Sequence, residues 1–334
     1  MWKRKALLVL LAFLLCPALS SAALAAEESS WPSHLRLLTG PNGGQWFSLG
    51  APLAEVLTRN ILPTTSRMGG GAANIEQVDK KLADLGFTMS CFLGAGESGE
   101  AEYQALQSKN AVLMANVYPQ VLYVLLRRDF AEEYGIRSLD DLLSKRMPLR
   151  FASLRPGTAS EFILGQLLRH GYGSSFDKLR EQGWLISFNN YSETADNFVS
   201  GQLDGFAYTA GPDVPLIKIM EEHTDIVFLP IRREVLDSLS AKFKTSSYVI
   251  QPGDYKNVSE PVETLGSYTS LLVRKDLPES LVYAICECLW DNRAYISEII
   301  SDFGRISPDS ALSGGLAAHP GAEHFWNNLK NKQR

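Results

Sequence analysis

The chain has 334 residues, 45% of them apolar, with 32 Lys and Arg against 37 Asp and Glu and a formal net charge of −5. That balance excludes the general basic character on which nucleic-acid binding depends, but it leaves a small anionic ligand open, because one local site outweighs a global charge. The length suffices for two ordinary domains.

Residues 1–25 read as a signal peptide. Lys3, Arg4 and Lys5 form a basic n-region, Ala6 to Leu15 an apolar core, and Ala23-Leu24-Ala25 an A-x-A cleavage site, so the mature chain is expected to begin near Ala26. The apolar run is short for a membrane span. Leu15 precedes Cys16 where a lipoprotein would carry a small residue. The expectation is an exported, periplasmic protein with no direct membrane insertion after cleavage. Without Lys3, Arg4 and Lys5 the balance is 29 basic against 37 acidic residues, a net of −8 over about 309 residues. Cys91, Cys286 and Cys288 then remain. An odd number is no disulfide framework. Cys286 and Cys288, two apart in an apolar helical run, point in different directions. All three are read as buried thiols, with no metal site.

The rest alternates. Strands are expected at 35–39, 64–67, 85–90 and 111–117, with helices at 47–60, 72–83 and 98–108 between them. A long apolar strand follows at 120–129. A second cycle has strands at 149–153, 184–188, 204–208 and 226–229, with helices at 158–170, 192–200 and 212–221. A loop-rich region leads to a second long strand within 266–278, then helices near 279–291 and 294–302. This spacing predicts α/β layers with mainly parallel sheets. The two long strands read as two crossings between domains, 33–122 with 268–334 as the first and 123–267 as the second. Two crossings make a cleft and a hinge. "KLADLGFTMS" (81–90) and "GQLDGFAYTA" (201–210) share a layout: Asp84 or Asp204, a Gly-Phe pair, then a strand ending in hydroxyls. Either each half carries an equivalent strand, or two common αβ turns coincide.

Ligands of open α/β sheets gather at the carboxyl ends of strands. Here those ends are Ser90 in the first half and Tyr208, Thr209, Ala210 and Gly211 in the second. "TGPNGGQW" (39–46) spends more turn formers than a strand-to-helix connection uses. It exposes backbone N–H groups beside a helix N-terminus, which suits an anion, although no Gly-Lys-Ser/Thr makes it a P-loop. Thr39, Gly40, Asn42, Gly43, Gly44, Gln45 and Trp46 are therefore candidate ligand-binding residues. The counterpart in the second half is "RPGTASEF" (155–162), with candidates Arg155, Gly157, Thr158, Ala159 and Ser160. Thr158 or Ser160 is the candidate N-cap. Arg155 either clamps a carboxylate bidentately or makes a surface or hinge ion pair. Trp46, Phe47, Tyr118 and Tyr208 either pack in the core or wall the cleft; Trp46, Tyr118 and Tyr208 join the candidates.

These segments resemble the TAXI family, the substrate-binding receptors of one branch of tripartite ATP-independent periplasmic (TRAP) transporters. "TGPNGGQWFSLGAPLAEVL", "GGGAANIEQVDKKLADLGFTMS", "ANVYPQVLYVLLRRD", "YTAGPDVPLI" and "HPGAEHFW" match its motifs in order along nearly the whole mature chain. Departures are Arg155-Pro156 where the family has G-S, Gln120 for a common Glu, and a small insertion, "FAEEYG". The resemblance implies a two-domain α/β periplasmic binding protein of the type II, Venus-flytrap kind, with a ligand cleft between domains. It implies capture of a small anionic organic ligand, a glutamate-like amino acid or dicarboxylate, and delivery to TRAP permease membrane subunits. No cofactor and no catalysis are implied.

The residues themselves agree. There is no G-x-S-x-G elbow and no H-E-x-x-H, and His34, His170, His223, His319 and His324 are scattered. His319 is expected to fix the C-terminal turn. One rival is Gly94-Ala-Gly96-Glu-Ser-Gly99, a literal G-x-G-x-x-G that would mark a dinucleotide enzyme; without an acidic residue about 20 positions on, it reads as a flexible turn beside the cleft. Another is an exported sensor docking on a receptor kinase, which the sequence does not separate from transport.

Overall fold

The computed structural model describes residues 31–40 and 44–333; the signal-peptide reading and Asn42 and Gly43 lie outside them. Ten strands form one sheet: β1 (Leu35–Leu38), β2 (Thr64–Arg67), β3 (Leu85–Met89), β4 (Ala111–Arg127), β5 (Leu149–Leu154), β6 (Trp184–Asn189), β7 (Gly205–Ala210), β8 (Ile226–Phe228), β9 (Ser246–Ile250) and β10 (Val262–Arg274). The helices relevant to the site are α1 (Gln45–Asn60), α2 (Gly71–Asp79), α3 (Ser90–Glu97), α6 (Ala159–Gln166), α8 (Tyr191–Val199), α9 (Pro215–His223) and α10 (Arg233–Phe243). The others are α4 (Arg128–Tyr134), α5 (Leu139–Ser144), α7 (Phe176–Glu181), α11 (Glu279–Asp291), α12 (Arg293–Ser297) and α13 (Pro320–Lys332). No helix among the described residues is long and apolar enough to cross a membrane.

The strand order is β2-β1-β3-β10-β4-β7-β5-β6, with β8 on β4 and β9 on β10. Parallel pairing is confined to β1 with β2 and β3, and to β5 with β6 and β7. The central β4 and β10 are antiparallel to each other and to every partner. The sheet is therefore mixed rather than mainly parallel. β4 runs without a break through Pro119, where two strands were expected. Pro119 stands opposite Tyr268, and the register irregularity between Thr269 and Ser270 leaves Val117 of β4 unpaired, between Tyr118 opposite Thr269 and Asn116 opposite Ser270. β4 exchanges partners at Val121: before it the strand pairs with β10, after it with β7. β10 makes the same exchange at Gly266, between β9 and the β3–β4 pair.

The first strand group (β1, β2, β3) and the second (β5, β6, β7) repeat at the level of atoms. In the first, Arg36 donates backbone N and side-chain Nε and Nη2 to the buried Asp84 carboxylate, and Nη2 also to Lys81 O. In the second, Arg150 donates N, Nε and Nη2 to Asp204, and Nη1 to Gly201 O. The two Asp residues return N–H bonds to Arg36 O and Arg150 O. The shared layout of 81–90 and 201–210 is thus one bidentate arginine–carboxylate clasp used twice. It sets the same register for β3 beside β1 as for β7 beside β5, so both groups point their carboxyl ends at one place.

Apolar packing follows this division on one face only. One cluster there joins β1, β3, α1, α11 and α13 around Leu49, Phe87, Ile285 and Trp326. A separate one joins β5, β7, α8 and α9 around Phe198, Phe206 and Ile217. On the other face a single cluster runs through both groups, from Phe92 and Tyr103 to Ile163, Leu239 and Phe243. Each such large side chain stabilises by roughly 1.5–3 kcal/mol when fully buried.

Three segments depart from expectation. α3 starts directly at Ser90, not near 98. The region between 230 and 265 holds α10 and β9 rather than loops. A C-terminal helix, α13, is capped by His319, whose Nδ1 accepts from Gly321 N at 3.1 Å while Nε2 lies 3.0 Å from Leu277 O. The α3 case has a clear cause. Glycines disfavour a helix by about 1 kcal/mol each, but a Cβ on Gly94 would lie 1.8 Å from Phe243 O, and one on Gly96 2.3 Å from Leu106 O. Close packing against α10 and the 3-10 turn Ala101–Leu106 requires both glycines.

Candidate ligand cavity

Where the carboxyl ends of both groups meet lies a cavity of about 480 Å³, within the usual range of roughly 300–1,000 Å³ for small-molecule sites. Three turns of each group wall it. The first group contributes Gly40, Gly44, Gln45 and Trp46 after β1, Gly70 and Gly71 after β2, and Met89 and Phe92 at the β3–α3 junction. The second contributes Leu154 and Gly157 to Ser160 after β5, Tyr191 after β6, and Thr209 to Gly211 with Asp213 to Pro215 after β7. Gln120, one residue before β4 changes partner, closes the wall.

Of the residues expected from sequence, Gly40, Gly44, Gln45, Trp46, Gly157, Thr158, Ala159, Ser160, Thr209, Ala210 and Gly211 line this cavity. Others stand behind it. Thr39 is buried, with its hydroxyl on Arg67 O at 2.9 Å. Ser90 is buried 3.0 Å from Ser267 Oγ and accepts from Tyr268 N. Tyr118 and Tyr208 are core residues, each no more than 1% exposed. Arg155 is exposed and outside the wall, although Leu154 and Gly157 on either side of it line the cavity. Phe47 is also outside it, 40% exposed. Trp46 is the one of the four weighed aromatics that reaches the cavity. It stacks on Phe87 with centroids 5.9 Å apart and donates Nε1 to Thr269 Oγ1 at 3.1 Å.

Sequence reasoning missed Gly70, Gly71, Met89, Phe92, Gln120, Leu154, Tyr191, Asp213, Val214 and Pro215. The repeat held a signal for some. Gly70-Gly71 after β2 and Asn190-Tyr191 after β6 are equivalent third turns. It also missed Asn74, which holds the first group's turns together. Asn74, fully buried, donates Nδ2 to Thr39 O and Phe87 O at 2.8 and 2.7 Å and accepts from Gly70 N at 3.0 Å. In the second group Ser160 Oγ accepts from Thr209 N at 2.9 Å, while Tyr191 OH donates to Thr209 O at 3.0 Å.

A tyrosine network props the last turn. Tyr123 OH donates to Gly211 O at 2.9 Å, Tyr255 OH lies 3.0 Å from Pro212 O and from Tyr123 OH, and Val214 N donates to Tyr255 OH. Burial pushes the Tyr255 hydroxyl up to about 12 and those of Tyr123 and Tyr208 upward as well, so all remain neutral.

Charge is sparse. Among the lining residues Asp213 is the one charged side chain, and it is paired with Lys218 at 2.7 Å. Six helices start at the wall, but unequally. α6 and α8 are capped by their own side chains: Thr158 accepts from Glu161 N and Asn190 from Glu193 N. This settles the cap of α6 on Thr158. α1 and α2 begin on Gly44 and Gly70 with no side-chain cap. Their N-cap residues therefore supply no side-chain acceptor to the first amides. No three His, Cys, Asp or Glu side chains gather to hold a metal ion among the described residues. Gly94 and Gly96 lie buried inside α3, so the G-x-G-x-x-G is neither a flexible turn nor a strand-to-helix phosphate loop.

No curated protein matches the chain. Solved structures that resemble it include the periplasmic binding protein BugD (14% identity, 90% of this chain and 98% of that one, TM-score 0.48). A phosphonate protein, PhnD1 from Prochlorococcus marinus in complex with methylphosphonate, is similar at 13% identity over 90% and 97% of the two chains, TM-score 0.49. An ancestral cationic amino acid solute-binding protein is similar at 15% identity over 82% and 95%, TM-score 0.44. The model of the NMT1-like family matches residues 37–328. With nearly its whole described length under that match, the chain belongs to the NMT1-like family.

Proposed function

We propose that the chain is an exported solute receptor that closes two lobes, 33–122 with 268–334 and 123–267, around a small carboxylate and delivers it to a TRAP-type permease. The observation that carries this reading is the cavity itself, built from three matching turns of each strand group. A ligand touching both sets of turns is bound better when they are close together, and only that difference shifts an open–closed equilibrium. The partner exchanges at Val121 and Gly266 supply the place to bend. The lining offers amide donors, hydroxyls and apolar surface, a composition suited to holding a molecule. The ordered TAXI-like motifs support the TRAP assignment.

The test is a thermal-shift screen of carboxylates followed by small-angle scattering. A ligand at about 100 times its dissociation constant stabilises by roughly 2.7 kcal/mol, and the hit is expected to reduce the radius of gyration. If nothing raises Tm, the receptor reading fails; if a hit leaves the radius unchanged, lobe closure fails. For delivery, uptake of the labelled hit should depend jointly on this protein and a TRAP permease.

A further inference from the structure

Resting on the receptor reading, we propose that Gln120 sets the specificity of the cavity, its Oε1 accepting a hydrogen bond from a hydroxyl of the ligand. The ligand is then a hydroxy acid rather than a glutamate-like amino acid or an unsubstituted dicarboxylate. Its carboxylate rests on the receptor reading and its hydroxyl on Gln120.

Three side chains of the wall are both polar and buried: Gln120, Ser160 and Thr209. Two of them are spent or sealed. Ser160 Oγ accepts from Thr209 N and lies 3.3 Å from Thr209 O. The Thr209 hydroxyl has no partner among the described residues, but it is enclosed in the interior and does not open on the cavity. Gln120 differs from both. Its Nε2 donates to Thr269 Oγ1 at 3.0 Å, and the same oxygen takes the Trp46 indole N–H at 3.1 Å. Its Oε1 has no partner among the described residues, yet it is not enclosed as the Thr209 hydroxyl is. An amide only 7% exposed thus keeps an acceptor open to the cavity. A buried acceptor left without a donor is costly, so a ligand that fills the cavity and drives out water must bring one. The acceptor is uncharged, and Asp213, the one acid of the wall, is exposed and paired with Lys218 at 2.7 Å. A buried ammonium would find no free anion there, whereas a hydroxyl needs none. Gln120 also immediately precedes Val121, where β4 passes from β10 to β7, so it lies on the seam between the two sets of turns.

Isothermal titration calorimetry with two series tests this: 3-phenyllactate, 3-phenylpropionate, phenylpyruvate and phenylalanine on one body, and 2-hydroxyglutarate, glutarate, 2-oxoglutarate and glutamate on another. In a series that binds, the hydroxy acid is expected to be held at least tenfold tighter than its three analogues, because a site that bonds a hydroxyl rejects the analogue lacking it. Gln120→Leu should weaken the hydroxy acid at least tenfold and the unsubstituted acid less than threefold. Gln120→Glu, which keeps the shape of the side chain, should raise affinity for the amino acid relative to the hydroxy acid at least fivefold, since a carboxylate suits an ammonium. An unsubstituted acid bound as tightly as the hydroxy acid overturns the hydroxyl. A 2-oxo acid or amino acid bound tightest overturns the uncharged acceptor. Equal losses of both acids in Gln120→Leu, or an unmoved ratio in Gln120→Glu, overturn the role of Gln120. Each of these leaves the receptor reading intact. Binding by none of the eight overturns the proposal, and if no compound of any class raises Tm either, the receptor reading falls with it.

Discussion

Gly71 and Gly70 are adjacent wall glycines with opposite expected responses to alanine. On helix propensity alone, Gly71→Ala should stabilise α2, by up to about 1 kcal/mol. The structure reverses the sign. A Cβ at Gly71 would lie 2.9 Å from Phe92 Cε2. The Phe92 ring cannot retreat, because Phe162 packs on it with centroids 4.4 Å apart. The backbone cannot retreat either, because buried Thr88 donates to Gly71 O at 3.0 Å. Overpacking of this kind costs about 1–3 kcal/mol, so a net loss near 1 kcal/mol remains, with a fall in Tm of roughly 2–4 °C for a chain of this size. The ring's open direction is the cavity, so ligand affinity should fall at least tenfold. At Gly70 a Cβ meets nothing within 4 Å and φ is −162°, extended backbone that any residue adopts. Gly70→Ala should therefore move Tm by less than about 2 °C. Thermal unfolding of both variants, with calorimetry on a ligand found by screening, checks the pair. A Gly71→Ala protein with raised Tm and unchanged affinity would refute the placement of Phe92 against this turn.

The two arginine–carboxylate clasps should differ in robustness. Arg274 Nη1 also bonds Asp84 at 2.9 Å, whereas Asp204 has Arg150 as its only ion-pair partner among the described residues. Arg150→Ala is expected to cost about 2–3 kcal/mol and Arg36→Ala about half that in denaturant unfolding; equal losses would refute the asymmetry. His319 predicts a pH dependence. Burial lowers its pKa below 6.5, and Nδ1 must stay unprotonated to cap α13. Its contribution is present above about pH 6.5 and lost as pH falls through the lower folded value, because the unfolded state binds the proton more readily. Unfolding free energy measured from pH 8 to 5.5 should be flat and then decline. His319→Asn, which keeps a capping acceptor, should lose most of that decline.

What the sequence disclosed was local. β2 at 64–67 and α11 at 279–291 stand where pattern placed them, because turn formers and apolar period decide such short units without distant partners. What it concealed depends on distant partners. α3 carries glycines that read as a turn, and only the carbonyls of Phe243 and Leu106 explain why they are needed. β4 passes through Pro119 because β10, a strand far along the chain, pairs with it on both sides of the proline. In the site, glycine-rich turns marked one of the three pairs of wall segments, and strand ends pointed to another. Arg155 drew notice as a residue type suited to carboxylates, yet it is exposed and outside the wall that its neighbours Leu154 and Gly157 line. Phe92, Leu154 and Val214 have no distinctive chemistry, and nothing short of the fold brings them together.

The two halves use the same clasp and the same strand order but finish their helices differently, and that difference bears on binding. Thr158 and Asn190 complete α6 and α8 from within the chain. Gly44 and Gly70 leave α1 and α2 incomplete. A glycine in place of a side-chain cap costs only a few tenths of a kcal/mol per helix. α9 of the second group likewise starts on Val214 without a side-chain cap, so such ends open on the cavity from both groups, beside walls that are largely apolar. Under the proposed receptor reading, a ligand anion placed there would accept from amides that their N-cap residues leave without a side-chain acceptor. The repeated backbone thus meets the cavity with three helix starts that lack an N-cap side-chain bond in the first group and one in the second, although the strands that carry them are built alike.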